Sequence, residues 1–450
     1  MSDLQKKLTE LGEELQVPGV SVGLVLDGKE EYAFHGVTSI ENPLPVDEHT
    51  LFQFGSTGKT YTATAIMVLV HQGRVALDEK VRTYVPELKL KDEDVAREVT
   101  VLQLLNHTAG WSGDVLTNTG DGDDALDKYV ALLADVDQVT PLGTAFSYNN
   151  ASLSVAGKII AKLTNKTYEA AMKELIFEPL GLDETFFFPN DIMTRRFAVG
   201  HNQHPDGKIE IARPWAMPRG NSPAGGISAT ARDQIKWAKF HLGDGAPILS
   251  QELLDLMKQP TFDMRGGALG DYVGISWMLR DVEDVRFVAH GGDTNGQHSA
   301  FFMIPERNFG IAIMTNCGPN GSHLMEQLGK WVLDSYLGIV EKDPEPIALD
   351  DAALAEYVGT YKTIAVTIDI SAKDGGLLVK AEIDPEVWKQ ISEDEIPDQP
   401  PIPLGMLDGP GDRYVVPEGE GKGMKGYFAR DAAGKVAAVH LGGRLAERVS

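Results

Sequence analysis

Hydrophobic residues recur with two different periods along this chain. Near the N-terminus they follow one face of a helix, at Leu4, Leu8, Leu11 and Leu15. Residues 20–26 and 31–37 are then typical of two strands joined by a tight turn. The middle third is mostly helical or loop-like, and strands return near residue 290 before a last helical stripe. The pattern predicts an α/β (α+β) fold, with an antiparallel sheet flanked by terminal helices beside an all-helical lobe.

The last hundred residues show a strand pattern instead of a helical one. Apolar and polar residues alternate over residues 366–370, and Asp374-Gly375-Gly376 marks a turn after them. Residues 427–430 and 435–441 are predicted to form the final hairpin. We see no pattern of nucleophile and base in this part. Its expected role is stability or assembly, and the alternative is that its loops shape or cover a cleft.

Composition limits the classes of partner. Hydrophobic residues make up 42% and charged residues 24% of the 450 residues, as in a globular protein with one large and one smaller domain. The net charge of −25 disfavours nucleic acid and anionic membranes as partners. The longest apolar run, residues 65–70, is too short to cross a bilayer. Charged residues interrupt the N-terminal helix and Cys317 is the only cysteine, so we expect no signal peptide, no intrachain disulfide and a cytoplasmic location.

The most specific chemical signal is the segment of residues 54–60, Phe-Gly-Ser-Thr-Gly-Lys-Thr. A short apolar strand ends there and a helix begins, so Ser56 and Lys59 share one helix face. A serine hydroxyl needs a neighbouring base to become a nucleophile, and a desolvated lysine amine can be that base. Free N–H groups at the helix start also favour negative charge on a reacting oxygen. The pair indicates a serine acyl-transfer enzyme.

Two other interpretations of the same segment compete with this one. A capping serine beside a solvated lysine would have no catalytic role, and that is the usual explanation of an isolated match. A phosphate-binding loop also ends in Gly-Lys-Thr, but it requires glycine at the position that Gln53 occupies. Nucleotide binding is therefore disfavoured.

Candidate partners of the serine follow a Pro-Leu-Gly turn at residues 141–143. Tyr148 can act as a base if a nearby lysine cation lowers the pKa of its phenol. Asn150 can hydrogen-bond a substrate amide, although asparagine is also favoured as a helix cap. Both residues precede a stretch with helical spacing, so they are predicted to lie at the start of a helix.

A second candidate segment lies much later in the chain. Residues 285–289 are typical of a strand, which runs into His290-Gly291-Gly292. The glycines would let a substrate approach the strand edge closely. The backbone N–H of Asp293, which comes next, could face a carbonyl oxygen.

Together these residues resemble the serine β-lactamase and penicillin-binding-protein superfamily, in particular its class C-like branch of esterases, D-aminopeptidases and D,D-carboxypeptidases. Residues 104–110, Leu-Leu-Asn-His-Thr-Ala-Gly, and 225–228, Gly-Gly-Ile-Ser, are similar to two further motifs of that branch. Residues 354–361 are similar to the start of a lipocalin-like barrel. The resemblance implies three parts, which are a β-lactamase-like serine hydrolase domain over 1–340, a linker at 341–349 and a small all-β barrel over 350–450.

The resemblance also implies a role for each candidate. Ser56 would be the acylated nucleophile, Lys59 its proton acceptor or electrostatic partner, and Tyr148 the general base and acid. The backbone N–H groups of Ser56 and Asp293 would form an oxyanion hole. The substrate would be positioned by Asn150 and by the strand of His290, Gly291, Gly292 and Asp293. Whether Lys59 or Tyr148 takes the first proton stays open.

One departure from the branch bears on the substrate. Class C β-lactamases usually carry Lys-Thr-Gly where this chain has His290-Gly291-Gly292. A histidine is only partly charged near neutral pH, and the threonine hydroxyl is missing. Recognition of a β-lactam carboxylate is therefore expected to be weak, which ranks β-lactamase activity below esterase or peptidase activity.

We therefore expect a serine hydrolase that cleaves small ester, amide or peptide substrates through an acyl-enzyme on Ser56. The alternatives are β-lactamase or D,D-carboxypeptidase activity, and a non-catalytic binding protein of the same fold. His201 and His204 have the spacing of metal ligands but lack a further partner, so no metal and no other cofactor is expected. The expected partner is a small molecule or a short peptide, and a homo-oligomer is left open.

Overall fold

The computed structural model describes residues 1–204, 206–389, 395–396, 400–419 and 421–450. The strands of the first part are β1 (Gly19–Leu26), β2 (Lys29–Gly36), β3 (Phe52–Gln53), β4 (Thr185–Phe186), β5 (His201–Gln203), β6 (Ile209–Ile211), β7 (Ser228–Ala229), β8 (Phe262–Gly267), β9 (Gly270–Val273), β10 (Met278–Val282), β11 (Val285–Thr294), β12 (Gln297–Ile304) and β13 (Phe309–Thr315).

Helices occupy both ends and the middle of this part. They are α1 (Asp3–Glu14), α2 (Gly58–His71), α3 (Val81–Tyr84), α4 (Glu93–Glu98), α5 (Val101–Leu105), α6 (Ala125–Leu132), α7 (Asn150–Thr164), α8 (Tyr168–Met172), α9 (Glu178–Leu180), α10 (Pro189–Ile192), α11 (Ser222–Gly225), α12 (Ala231–Leu242), α13 (Gln251–Met257) and α14 (Asn320–Val332).

One eight-stranded antiparallel sheet joins the two ends of this part, in the order β2-β1-β13-β12-β11-β10-β9-β8. Every residue of β13 is buried, as expected for a central strand that is covered on both faces. The N-terminal leucine stripe packs with α14 against one face, where Leu4, Leu8 and Leu324 share a core with Ile313. The predicted antiparallel sheet and its terminal helices are confirmed.

Helices between β3 and β8 form the predicted helical lobe around α2, except α12, which packs on β1 and β13 of the sheet. Residues 58–69 of this helix are all buried, so it is surrounded on every side. Two of its threonines bond to the preceding turn, since Thr60 Oγ1 donates to the Thr57 carbonyl and Thr64 Oγ1 to the Thr60 carbonyl. A helix held on all sides can present its first turn with little freedom.

The C-terminal part is a closed antiparallel barrel with its own hydrophobic core. Two short helices, α15 (Asp351–Leu354) and α16 (Pro385–Trp388), accompany its strands. The strands are β14 (Gly359–Lys362), β15 (Val366–Lys373), β16 (Gly376–Ile383), β17 (Ile402–Met406), β18 (Arg413–Val415), β19 (Lys425–Arg430), β20 (Val436–Leu441) and β21 (Arg444–Arg448). The predicted barrel is confirmed, whereas the domain boundaries at residues 340 and 350 stay a prediction.

The predicted hairpin of β19 and β20 is confirmed, but the prediction that it is the last one is wrong. A further strand, β21, follows a turn at Gly442 and Gly443, which both have positive φ. It pairs with β20 on one side and with β14 on the other, and so closes the barrel. Three of its five residues are polar, and Leu445 and Ala446 are its buried residues. So short and polar a segment carries little strand signal until a partner on each side pairs with its backbone.

Candidate active site

The hydroxyl of Ser56 and the amine of Lys59 meet where the 3₁₀ turn Gly55–Thr57 leads into α2. The Lys59 Nζ lies 2.9 Å from Ser56 Oγ and 2.6 Å from the carbonyl oxygen of Ala224. The Lys59 side chain is fully buried. The structure thus brings the two residues together as their spacing predicts, and it removes the lysine from water, unlike the solvated lysine of the competing interpretation.

Burial decides the protonation of this lysine. It lowers the pKa of Lys59 well below the usual value, and the positive charge of Arg444 lowers it further. The more distant carboxylates of Asp114 and Asp293 raise the pKa, but they do not offset burial. In the described part of the chain no carboxylate forms an ion pair with Lys59. The site therefore favours a neutral amine, which can accept a proton.

Tyr148 joins this pair from the segment before α7. The Lys59 Nζ lies 4.9 Å from the centre of its ring. The His107 imidazole stacks on the ring at 4.6 Å and accepts a hydrogen bond from the backbone N–H of Asn149. Burial raises the pKa of Tyr148, and the interaction with the Ser56 side chain only partly offsets it. The net shift is opposite to the lowering that a phenolate base requires, so Tyr148 is a neutral phenol.

The sequence left two roles open for Asn150, that of a helix cap and that of a hydrogen-bond partner for the substrate. The structure gives the first of these roles to Asn149. Asn149 is the helix cap, because its side chain accepts the backbone N–H of Ser152 at 2.8 Å. Asn150 instead donates its Nδ2 to Asp114 Oδ1 at 2.9 Å. Asp114 lies in the loop before α6 and was not singled out by the sequence. The amide of Asn150 is thus oriented by a carboxylate of the protein.

The segment His290–Asp293 lies within β11 and forms an open sheet edge. The neighbouring β10 pairs with β11 only as far as Ala289, whereas β12 pairs along the following residues. Two hydroxyls link this edge to the turn that carries Ser56. Thr57 Oγ1 donates to the His290 carbonyl at 3.1 Å, and it lies 3.1 Å from Ser299 Oγ of β12. The edge therefore faces Ser56 directly.

Glycines make this close approach possible. A Cβ on Gly292 would lie 2.0 Å from the Phe54 carbonyl oxygen and 2.7 Å from the Ser56 nitrogen. A Cβ on Gly55 would lie 2.6 Å from the Asp293 nitrogen. Any side chain at either position would push the two segments apart. The backbone nitrogens of Ser56 and Asp293 consequently lie on neighbouring segments, as an oxyanion hole requires.

His290 differs from the partly charged residue that the sequence suggested. Burial is the main cause that lowers the pKa of His290, to about 3. Its Nδ1 lies 2.6 Å from the Gly291 carbonyl oxygen, so Nδ1 carries the proton and Nε2 is an acceptor. The buried Nε2 has no hydrogen-bond partner in the described residues. Near neutral pH His290 therefore offers a lone pair to the cleft, and no positive charge.

Arg444 of the barrel is a site residue that the sequence did not reveal. It forms a two-pronged ion pair with Asp114, with Nε–Oδ2 at 2.6 Å and Nη2–Oδ1 at 3.0 Å. Its guanidinium carbon lies 5.1 Å from the ring centre of Tyr148. The backbone N–H of Tyr148 also donates to the Gly443 carbonyl at 2.9 Å. Arg444 lies in a polar segment after a Gly-Gly turn. Nothing in that local sequence indicates a contact with a distant part of the chain.

His201 and His204, which have the spacing of metal ligands, are both hydrogen-bonded within the protein. His201 lies between the backbone N–H of Ile40 and the carbonyl of Asn316, and His204 pairs with Glu210. Within the described ranges no group of three or more His, Cys, Asp or Glu side chains is arranged to hold a metal. Across those same ranges we find no helix with the length and apolar character needed to cross a membrane.

Comparison with known proteins identifies the family. Residues 4–328 match the family model described as beta-lactamase, which is well over half of the chain. The chain belongs to the beta-lactamase family. Penicillin-binding protein 4 of Amycolatopsis lactamdurans is 33% identical to it over 374 residues, which is 80% of this chain and 96% of that protein.

The similarity to solved structures includes the C-terminal barrel as well as the first part of the chain. The crystal structure of SurE superposes with a TM-score of 0.75 at 24% identity, and it covers 99% of this chain and 98% of its own. The D-amino acid amidase of Ochrobactrum anthropi SV3, in complex with D-phenylalanine, superposes with a TM-score of 0.63 at 24% identity. It covers 74% of this chain and 100% of its own.

The glycine contact can be tested with a matched pair of alanine variants. We expect Gly292→Ala to lower kcat of ester hydrolysis about 10²–10³-fold, because the new methyl group would displace the Ser56 turn from the Asp293 nitrogen. Gly329→Ala, in α14, is the control, since its methyl group would meet only a ring carbon of Phe302, at 3.9 Å. Equal kcat values for the two variants would contradict the proposed oxyanion geometry.

Proposed function

We propose that this protein is a serine hydrolase that cleaves small esters, amides or peptides through an acyl-enzyme on Ser56. The observation that carries the proposal is the buried Lys59 amine, 2.9 Å from Ser56 Oγ, with a lowered pKa and no carboxylate partner in the described residues. A non-catalytic binding protein would gain nothing from a buried amine with these properties, and its burial costs stability.

The protonation states assign the proton transfers. Neutral Lys59 accepts the proton of Ser56 as Oγ attacks the substrate carbonyl carbon and its C=O electrons move to oxygen. The tetrahedral intermediate then collapses, the bond to the leaving group breaks, and the Tyr148 phenol donates its proton to that group. Lys59 returns its proton to Tyr148. Water then attacks the acyl carbon and passes its proton through the Tyr148 hydroxyl to Lys59. The bond between the acyl carbon and Ser56 Oγ breaks, and Lys59 returns the proton to Oγ, which releases the acid and restores Ser56.

The negative oxygen of the intermediate needs its own stabilisation. The backbone N–H groups of Ser56 and Asp293 are suited to this task, because Gly55 and Gly292 let their segments touch. A donor of this kind typically contributes about 3 kcal/mol to the lowering of the barrier. The buried start of α2 adds its own partial positive charge.

Substrate preference follows from the charges in the cleft. His290 is neutral where the resemblance places the lysine that holds a β-lactam carboxylate. Esters and amides without a carboxylate at that position are therefore the better candidates. The similarity to a D-amino acid amidase supports amides of D-amino acids as the first compounds to test. β-Lactamase or D,D-carboxypeptidase activity is the second candidate, favoured by the 33% identity with a penicillin-binding protein.

The role of Ser56 can be tested by ester hydrolysis and mass spectrometry. We expect the wild type to hydrolyse a short-chain p-nitrophenyl ester and to carry its acyl group on Ser56 after acid quenching. Ser56→Ala should lose both properties, because the Ser56 hydroxyl is the only one in the described residues that hydrogen-bonds to the Lys59 amine. Ser371→Ala, at an exposed barrel position, is the control and should retain both. Wild-type rates in the Ser56→Ala variant would disprove the acyl-enzyme.

The proton-transfer assignment predicts the shape of the pH profile. Lys59 acts as a base only when neutral, so kcat/KM should rise with pH through its lowered pKa and be high at neutral pH. Tyr148 acts as an acid only when protonated, so the fall at high pH should come above the ordinary tyrosine pKa of 10.0. Tyr148→Phe should remove the alkaline fall, and Lys59→Arg should reduce kcat/KM about 10²–10⁴-fold, because arginine stays charged. A wild-type profile in either variant would contradict the assignment.

Stereochemistry tests the proposed substrate class separately. We expect D-phenylalanine amide to be hydrolysed at least tenfold faster than its L enantiomer, as measured by ammonia release. Benzylpenicillin hydrolysis, followed by absorbance, is the comparison for the second candidate function. Faster turnover of benzylpenicillin than of either amide would favour that candidate.

A further inference from the structure

The barrel touches the candidate active site through its last turn. The Gly443 carbonyl accepts the backbone N–H of Tyr148 at 2.9 Å, and the Leu445 N–H donates to Ser147 Oγ at 3.3 Å. These bonds hold the start of β21 against the segment that carries the proposed acid. The side chain between them, that of Arg444, is thereby delivered to the cleft.

Asp114 determines what Arg444 can do there. The carboxylate accepts both Nε and Nη2 of Arg444, and its Oδ1 also accepts Nδ2 of Asn150. Its side chain is 14% exposed, whereas that of Arg444 keeps 36% of its surface exposed. Two-pronged pairs of this kind are strong and strictly oriented. One carboxylate from the first domain therefore orients a cation of the barrel and an amide at the start of α7.

The pair also sets the charge that a substrate meets. Arg444 lies 5.1 Å from the ring centre of Tyr148, so it faces the region where a leaving group would depart. With Asp114 bound, the positive charge is balanced by the protein itself. Without that carboxylate, the remaining carboxylate of the protein that acts on Arg444 is that of Asp293, which is already bonded to His298, so the guanidinium fork would be open to a carboxylate of the substrate.

We propose that Asp114 is a positioning residue that sets the charge preference of the cleft, by holding Arg444 in a neutral pair and fixing the amide of Asn150. This rests on the proposed function, because it concerns the substrate of the same site. Its consequence is a preference for leaving groups without a carboxylate. Removal of the Asp114 charge would turn Arg444 into a free receptor for a substrate carboxylate.

The test compares two substrates that differ only in charge, an N-acetyl-D-alanyl-D-alanine acid and its methyl amide. We expect Asp114→Asn to raise the acid-to-amide ratio of kcat/KM at least tenfold. Arg444→Gln should lower that ratio, because it leaves Asp114 unpaired and negative. The double variant should return close to the wild-type ratio, and Asp114→Glu should retain it. Asp121→Asn, an exposed residue of the same loop, is the matched control.

Binding separates this inference from the proposed hydrolysis. The dissociation constants of both peptides are measured by calorimetry in the Ser56→Ala background, with and without Asp114→Asn. A tenfold shift of the acid-to-amide ratio supports the role of Asp114 even if turnover is absent. Equal losses for both peptides would show a merely structural role and overturn the inference. If Asp114→Asn does not fold, an unchanged acid-to-amide ratio in Arg444→Gln overturns the inference. If the cleft binds neither peptide, the inference and the proposed function are both overturned.

Discussion

The arrangement of this site depends on the burial of one amine. Moving a lysine into a protein interior without a bonded carboxylate costs several kcal/mol if the charge is kept, so the proton is released more readily instead. Lys59 has the Ala224 carbonyl and the Ser56 hydroxyl as its hydrogen-bond partners. The same burial keeps Tyr148 a phenol and His290 a neutral imidazole. In the function that we propose, Lys59 is therefore the base, Tyr148 the acid and His290 an acceptor.

Close backbone packing gives this chemistry its geometry. The nucleophile turn and the open edge of β11 touch because neither Gly55 nor Gly292 carries a side chain. Hydroxyls of Thr57 and Ser299 hold the contact from within the core. The surrounding elements also leave little room for movement, since residues 58–69 of α2 are buried. The oxyanion hole that we propose is therefore built mainly from backbone, and it requires glycine at both positions.

The barrel is joined to this centre by polar contacts. Its last turn bonds to the backbone of Tyr148, and Arg444 forms an ion pair with Asp114 across a separation of 330 residues in sequence. Of the two roles considered for the barrel, these contacts favour the one in which its loops shape the cleft. The ion pair also reaches Lys59, because Arg444 lowers and Asp114 raises the pKa of that lysine. A change in the barrel can therefore alter the pKa of Lys59.

The family resemblance supplied the barrel, and the sequence by itself determined the first hairpin, the terminal helices, the strand pattern of the last hundred residues and the meeting of Ser56 with Lys59. These features follow from alternation, helical spacing and a turn of a few residues, which act over short distances along the chain. Only the tertiary structure decided the protonation of Lys59, Tyr148 and His290. It also decided the partner of Asn150, the strand β21 and the arrival of Arg444. The reason is physical, because pKa values and ion pairs depend on burial and on charges that distant segments bring together, and no local pattern records them.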